Sequence, residues 1–370
     1  MFRSIILLLS LLASASSFTS PQGRSFVASK PQVMAKALLS TVNGIKRETI
    51  TNENWEMKSE ETQSQHEYLS LDLSKTIYTS SMKSPKDSYI AFAEKGAKNA
   101  KMAKRKILHQ SILGGCYVGF GGLLSLTVAG NIAGIGANNP GLVKMAFAAL
   151  FPVNLLLIVT TGGQLFTGNS ATVAAAYYED LVDMKELSTN WAVSLFGNVI
   201  GCGLMAVAAW YTGLLTGGTA SLCYNTAIGK CGATFGQNFV KAILCNWMVS
   251  LAVFLAGASN DLVGKLVAVW FPISTFVAIG LEHSVANLFI MPAAMLLKVP
   301  LSFGVILSRN VIPAILGNAV AGALVVAGSY SYQFGRLGGK RRAIFAEKLA
   351  EYEAKKRAIK YARNNAPPPL

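Results

Sequence analysis

The chain has 370 residues, 52% of them hydrophobic and only 14% charged, with a mean hydropathy of +0.41. Soluble domains carry about 25% charged residues, so this composition argues against a single large water-soluble enzyme. The net charge of +15 would suit a nucleic-acid binder, but it is confined to the ends: residues 1–106 hold 16 Lys and Arg against 9 Asp and Glu, residues 107–335 hold 7 against 6, and residues 336–370 hold 10 against 3. A neutral apolar centre between basic termini is the pattern of a multi-span membrane protein with both ends on one positively flanked side, and it leaves no nucleic-acid partner to expect.

Residues 1–17 read as a signal peptide, with Arg3 ahead of an apolar run over 5–13 and small residues before Phe18. The run is too short to cross a bilayer as a helix. Residues 18–47 contain no acidic side chain, while Arg24, Lys30, Lys36, Lys46 and Arg47 alternate with Ser and Thr, as in transit peptides. Joined at Phe18, the two segments resemble the bipartite presequences of plastids acquired by secondary endosymbiosis; the alternative is an ordinary secretory signal with a disordered neck. Residues 48–106 form a polar lead-in, poorly ordered or helical, whose last lysines and Arg105 flank the first span.

Uncharged stretches over 107–143, 145–178, 187–229, 242–260 and 310–335, with 266–297 broken only by Glu282, each hold a spanning helix of about 20 residues. An all-α membrane protein with six transmembrane helices over 107–335 follows. The basic tail over 336–370 has helix-favouring composition from 340 to 363 and suits a solvated or membrane-surface helix.

Two spans have polar centres. One is expected to begin at Phe151-Pro152 and reach Gly162-Gly163-Gln164-Leu165-Phe166-Thr167-Gly168-Asn169; the other begins at Phe271-Pro272 and reaches Gly280-Leu281-Glu282-His283-Ser284-Val285-Ala286-Asn287. Gln164 lies five residues before Asn169, and Glu282 five before Asn287. The spans that follow repeat too: Asn190 precedes Gly197-Asn198 as Asn310 precedes Gly317-Asn318. Three spans separate the copies, so the halves face the membrane in opposite senses, as an inverted repeat whose broken helices meet near the midplane.

Glu282 and His283 are an ionisable pair inside a span, which marks a functional site by default, and a histidine can hand a proton to an anion near neutral pH. The competing reading is a neutral imidazole satisfied by Asn or Ser neighbours. Thr167 opens a half-helix whose free N–H groups favour an anion. Phe151, Leu155, Phe166, Val249 and Phe276 would form apolar constrictions that exclude hydrated ions. Lys230 could draw anions into a vestibule, or be an isolated surface lysine. His66 and His109 lie far from His283 in sequence, and no cofactor or metal site is expected. Cys116, Cys202, Cys223, Cys231 and Cys245 have no paired spacing and read as unpaired apolar residues. Clustered His, Cys or carboxylates at the membrane interface, which a membrane-embedded enzyme would need, are lacking.

Together the segments at 162–169, Asn190-Trp191 with Gly197-Asn198, Cys245-Asn246-Trp247-Met248-Val249, 280–287, and Asn310-Val311-Ile312-Pro313 with Gly317-Asn318 resemble the formate/nitrite transporter family. The resemblance implies an aquaporin-like six-helix protomer in a homopentamer, one pore per protomer, passing small monovalent weak-acid anions. It makes Thr167 a gating, permeant-binding residue, His283 the proton-exchanging residue beside Glu282, and Lys230 the vestibule lysine. It further places a pore-lining amide at Asn246 and constrictions at Phe151, Leu165, Phe166 and Phe276. One departure stands out: the position before Leu165 is usually acidic in that family and here is Gln164. The reading is nitrite movement, with protons, across the inner plastid envelope toward the stroma. Formate or another short monocarboxylate is the alternative permeant, and another organellar membrane or the plasma membrane the alternative location.

Overall fold

The structure is a computed structural model and describes residues 82–339 and 348–357; the signal and transit segments lie outside the described residues. Helix α1 (Pro85–Ala100) starts where Ser84 accepts the Asp87 N–H and Pro85 supplies a pre-set first turn. It buries Tyr89, Phe92, Ala93, Gly96 and Ala100, one face at helical spacing. The last part of the lead-in is thus a packed helix. The sequence concealed it because α1 pairs that narrow apolar face with Lys86, Lys95 and Lys98 elsewhere.

Helix α2 (Lys104–Gly130) is the first span. The second runs as α3 (Pro140–Leu150) and α4 (Val153–Thr161), then breaks and resumes as α5 (Phe166–Tyr178). Helix α6 (Met184–Tyr211) follows a capping box between Asp183 and Glu186. A shorter helix, α7 (Gly217–Gly232), leads into α8 (Phe235–Ala258), itself opened by a Thr234–Gln237 capping box. Helix α9 (Leu262–Ile279), capped by Asp261, breaks and resumes as α10 (Ser284–Leu296). Helix α11 (Phe303–Phe334) closes the bundle. Among the described residues, six segments are long and apolar enough to cross a membrane.

Both broken spans begin about two and a half to three turns earlier than Phe151-Pro152 and Phe271-Pro272, which lie inside them. Pro152 keeps a helical φ of −58°, so each proline removes one hydrogen bond without turning the chain. The actual breaks fall at glycines. Gly162 has φ +86° and Gly280 φ +85°, left-handed values that a side chain resists. The stretch 187–229 also holds more than a span: its second half is α7, which apolar composition alone could not separate from α6.

The halves pair alike, α2 against α6 and α8 against α11. Without a hydrophobic drive between helices in lipid, such pairs depend on close backbone approach at small residues. A Cβ on Gly201 would lie 2.1 Å from the Ile112 carbonyl oxygen and 2.9 Å from the Cys116 nitrogen. A helix over residues 348–357 is tied to α1 by an ion pair, Lys348 Nζ to Asp87 at 2.8 Å, which holds the Asp87 carboxyl below its ordinary pKa.

These contacts make a direct prediction. Gly201→Val forces α2 and α6 apart and costs about 1–3 kcal/mol, as overpacking does elsewhere. Its thermal unfolding in detergent should fall clearly, while Gly203→Ala, with nothing within 4 Å of the new carbon, keeps the parental midpoint.

Candidate functional site

Backbone that leaves helical geometry inside a membrane needs partners for its N–H and C=O groups. Two asparagines supply them. Asn198 on α6 accepts the Phe166 N–H at 2.9 Å and donates to the carbonyls of Ser111 and Gln164 at 2.8 and 3.0 Å. Asn318 on α11 accepts the Ser284 N–H at 2.8 Å and donates to the carbonyls of Ala242 and Glu282 at 2.8 and 3.1 Å. Each bracket ties one break to two helices of its own half.

The side chains at the repeated polar position are held the same way and differ in charge. Glu282 Oε2 accepts from Asn287 at 2.8 Å, Asn310 at 2.9 Å and Lys230 Nζ at 3.0 Å. Gln164 Oε1 accepts from Asn169 at 2.8 Å and Asn190 at 3.4 Å, while its Nε2 donates to Gln110 at 2.9 Å. Glu282 is therefore an anchor of the second loop, one of its oxygens taking three donors. Lys230 stands at its expected place on a cavity wall, but ion-paired and mostly buried rather than isolated.

His283 caps α10. Its Nδ1 accepts the Ala286 N–H at 3.0 Å. A backbone N–H can only donate, so Nδ1 carries no hydrogen and the neutral ring bears its hydrogen on Nε2. That nitrogen lies 3.2 Å from Thr167 Oγ1 in the opposite half. Thr167 accepts from the ring and keeps its hydroxyl hydrogen to offer elsewhere. Both side chains are buried, and the Phe276 ring stacks on the imidazole with centroids 5.6 Å apart.

Around this pair the walls are apolar. Phe151 from α3 meets Phe276 from α9 edge-on at 6.3 Å. A void of about 10 Å³, room for about one water, is enclosed by Phe151, Asn154, Leu155, Leu165, Val249, Ile273, Phe276 and His283. A cavity of about 520 Å³ shares Phe151, Phe276 and His283 with it. Another of about 960 Å³ reaches Ile158, Gly162 and Gly163. Lys144, Phe147, Phe151, Leu155, Ile158 and Gly162 follow one another at three- or four-residue steps, so one face of α3 and α4 runs from the first cavity through the void into the second. That face traces a route across the bundle.

Thr167 lines none of these spaces and is joined to the void through His283. Two further expected site residues stand elsewhere. Asn246 lines none of these spaces; its amide donates to the Thr167 carbonyl at 3.2 Å, Ser170 Oγ at 2.9 Å and the Asn318 carbonyl at 2.7 Å, bolting the two halves together. Phe166 packs edge-on against Trp191 at 6.0 Å, outside the void, because it occupies the first turn of α5 on the face toward α6. Asn154 and Ile273 in the void wall, and Lys144 and Lys241 in the cavity of about 520 Å³, were not among the expected residues. Helical spacing from Phe151 and Val249 would have found both lysines. The five cysteines are unpaired. No three of His, Cys, Asp and Glu gather at metal range among the described residues.

Comparison with known proteins places residues 86–332 within the family model described as formate/nitrite transporter. A probable formate transporter of Methanothermobacter thermautotrophicus is 38% identical over 69% of this chain and 98% of its own length. Among solved structures, an "FNT family ion channel" aligns with a TM-score of 0.62 at 25% identity over 67% of this chain and 98% of that one. A "pentameric formate channel with formate bound" gives 0.58 at 26% identity over 63% and 98%.

The inequality of the two loops can be tested. Lys230→Gln strands the Glu282 carboxylate and should lower stability by about 2–4 kcal/mol, somewhat under the cost of breaking a fully buried pair because Lys230 is partly exposed. Adding Glu282→Gln should recover most of the loss in thermal unfolding, since it removes the stranded charge, and the neutral Gln164 holds the first loop without one.

Proposed function

The chain belongs to the formate/nitrite transporter family, and on that premise we propose that it carries nitrite across a membrane through the passage between its broken helices. The family makes it a multi-pass membrane protein that moves a solute rather than transforming one. The observation that carries the finer reading is the His283 Nε2–Thr167 Oγ1 contact, whose imidazole lies in one wall with Phe151, Leu155, Val249 and Phe276.

A bare anion entering so apolar a space loses its water at a cost of many kcal/mol, and a channel that admits it must return part of that stabilisation or remove the charge. His283 lines the narrow part, and its Nε2–H faces the Thr167 hydroxyl, which keeps a hydrogen of its own to give. An anion taking the place of the Thr167 oxygen shares the imidazole hydrogen and approaches a neutral acid. Because Nδ1 is engaged by Ala286, sharing at Nε2 suits the ring better than full transfer, which would demand a second hydrogen on Nδ1 and the loss of the helix cap. Nitrite and its conjugate acid interconvert readily enough for such a device, as do small carboxylates.

Formate is the second reading. The similar proteins from Methanothermobacter and the solved pentameric channel carry formate in their names, and the void offers no group that separates a bent triatomic anion from a small carboxylate. A homopentamer accords with the pentameric relative and with exposed apolar side chains such as Phe196, Phe271 and Val263. The composition of residues 1–47 supports delivery to the inner plastid envelope.

Uptake into proteoliposomes tests the mechanism. His283→Asn keeps a capping side chain on α10 but replaces the imidazole with a shorter amide that does not reach as far and does not exchange a proton near neutral pH, and should cut pH-dependent nitrite flux by at least about tenfold, the loss of one hydrogen bond to a charged group. Thr167→Val should act in the same direction. Unchanged pH-dependent flux in both would end the proton-sharing reading, and formate outcompeting nitrite at equal concentration would exchange the two permeants.

A further inference from the structure

The cavity of about 520 Å³ that opens onto Phe151, Phe276 and His283 contains three lysines, Lys144, Lys230 and Lys241. They are not equivalent. Lys230 Nζ sits 3.0 Å from Glu282 Oε2, with 18% of its side chain exposed, so to an incoming anion the two charges largely cancel. Lys144 is exposed and Lys241 half-buried, and among the described residues neither has a carboxylate within ion-pair distance. The cavity's net charge of about two positive units therefore resides on Lys144 and Lys241 at neutral pH.

Their placement is regular. Lys144 lies seven residues before Phe151 on α3, and Lys241 eight before Val249 on α8, and Phe151 and Val249 both wall the void. At 1.5 Å per residue the two lysines stand about 10 and 12 Å along their helices from the narrow part. They approach it from different halves of the molecule, and both helices turn toward it the face that bears the lysine.

Building on the transport reading, we propose that Lys144 and Lys241, rather than Lys230, gather the permeant anion at the mouth of the passage. Lys230 serves to neutralise Glu282 and steady the His283 loop. Two unpaired charges about 10 Å from a monovalent anion in a watery cavity raise its local concentration by about fourfold at low salt, by Coulomb attraction at the dielectric constant of water. Screening sets in over about 8 Å at physiological ionic strength, so the gain should fade as salt rises.

The experiment is initial-rate nitrite and formate uptake into proteoliposomes at low and high ionic strength, for the parent chain and the Lys144→Gln/Lys241→Gln pair. The expected result is a KM about fourfold higher in the double variant at low salt, with the loss falling on KM rather than on the saturated rate. The two proteins should converge at high salt. The parent's own KM should rise with salt, a readout that needs no variant. An unchanged KM in the double variant, or a parental KM indifferent to salt, overturns the proposal. Absence of parental flux for both anions condemns the transport reading itself, and this proposal with it.

Discussion

Two asparagine side chains hold open what lipid would otherwise forbid. A helix interrupted in a membrane exposes N–H and C=O groups that cost several kcal/mol each when unpaired. Asn198 and Asn318 answer this with one geometry, an oxygen to the first N–H of the resumed helix and a nitrogen to the carbonyl of the break. Everything at the site depends on that arrangement. Thr167 lies one residue beyond one bracketed amide and His283 one residue before the other, so the brackets decide that these two side chains meet. Asn246 then joins the halves at the Thr167 and Asn318 carbonyls. A side chain that could be mistaken for a permeant ligand is spent on architecture.

Much of this was visible in the residue order. The five-residue offset from Gln164 to Asn169 recurs from Glu282 to Asn287, and each pair proves to be an acceptor with its own donor. The eight-residue spacing of Asn190 to Asn198 and of Asn310 to Asn318 marks the second acceptor contact and the bracket. These were legible because polar residues in a span must find partners, so their spacing records geometry. The partners that come from elsewhere were not legible. Lys230 reaches Glu282 from 52 positions away, and Gln110 reaches Gln164 from 54; no local pattern announces either. Helix α7 escaped because a half-span and a loop share the same apolar composition as the end of a full span. The ring of Phe166 went astray for a simpler reason: at a helix start, one residue's shift changes the face by about 100°.

The two halves are related in backbone and unequal in chemistry. Where the second loop is held by a carboxylate and an ammonium group, the first is held by two amides. Hydrogen bonds to ionised groups are about twice as strong as neutral ones. The imidazole thus rests on the firmer loop, and the hydroxyl facing it on the one with the weaker ties. In the first loop the Gln164 amide meets the Gln110 amide, so no charge is left there without a partner.

Ala286 has a consequence out of proportion to its size. While its amide occupies one nitrogen of the imidazole, the ring holds a single hydrogen and no charge. A passage that works by sharing at the other nitrogen would store no charge between one crossing and the next. Whether it generates current would then be decided by the traveller alone: an ion that arrives bare moves charge across the bilayer, and one that brings its own proton moves none.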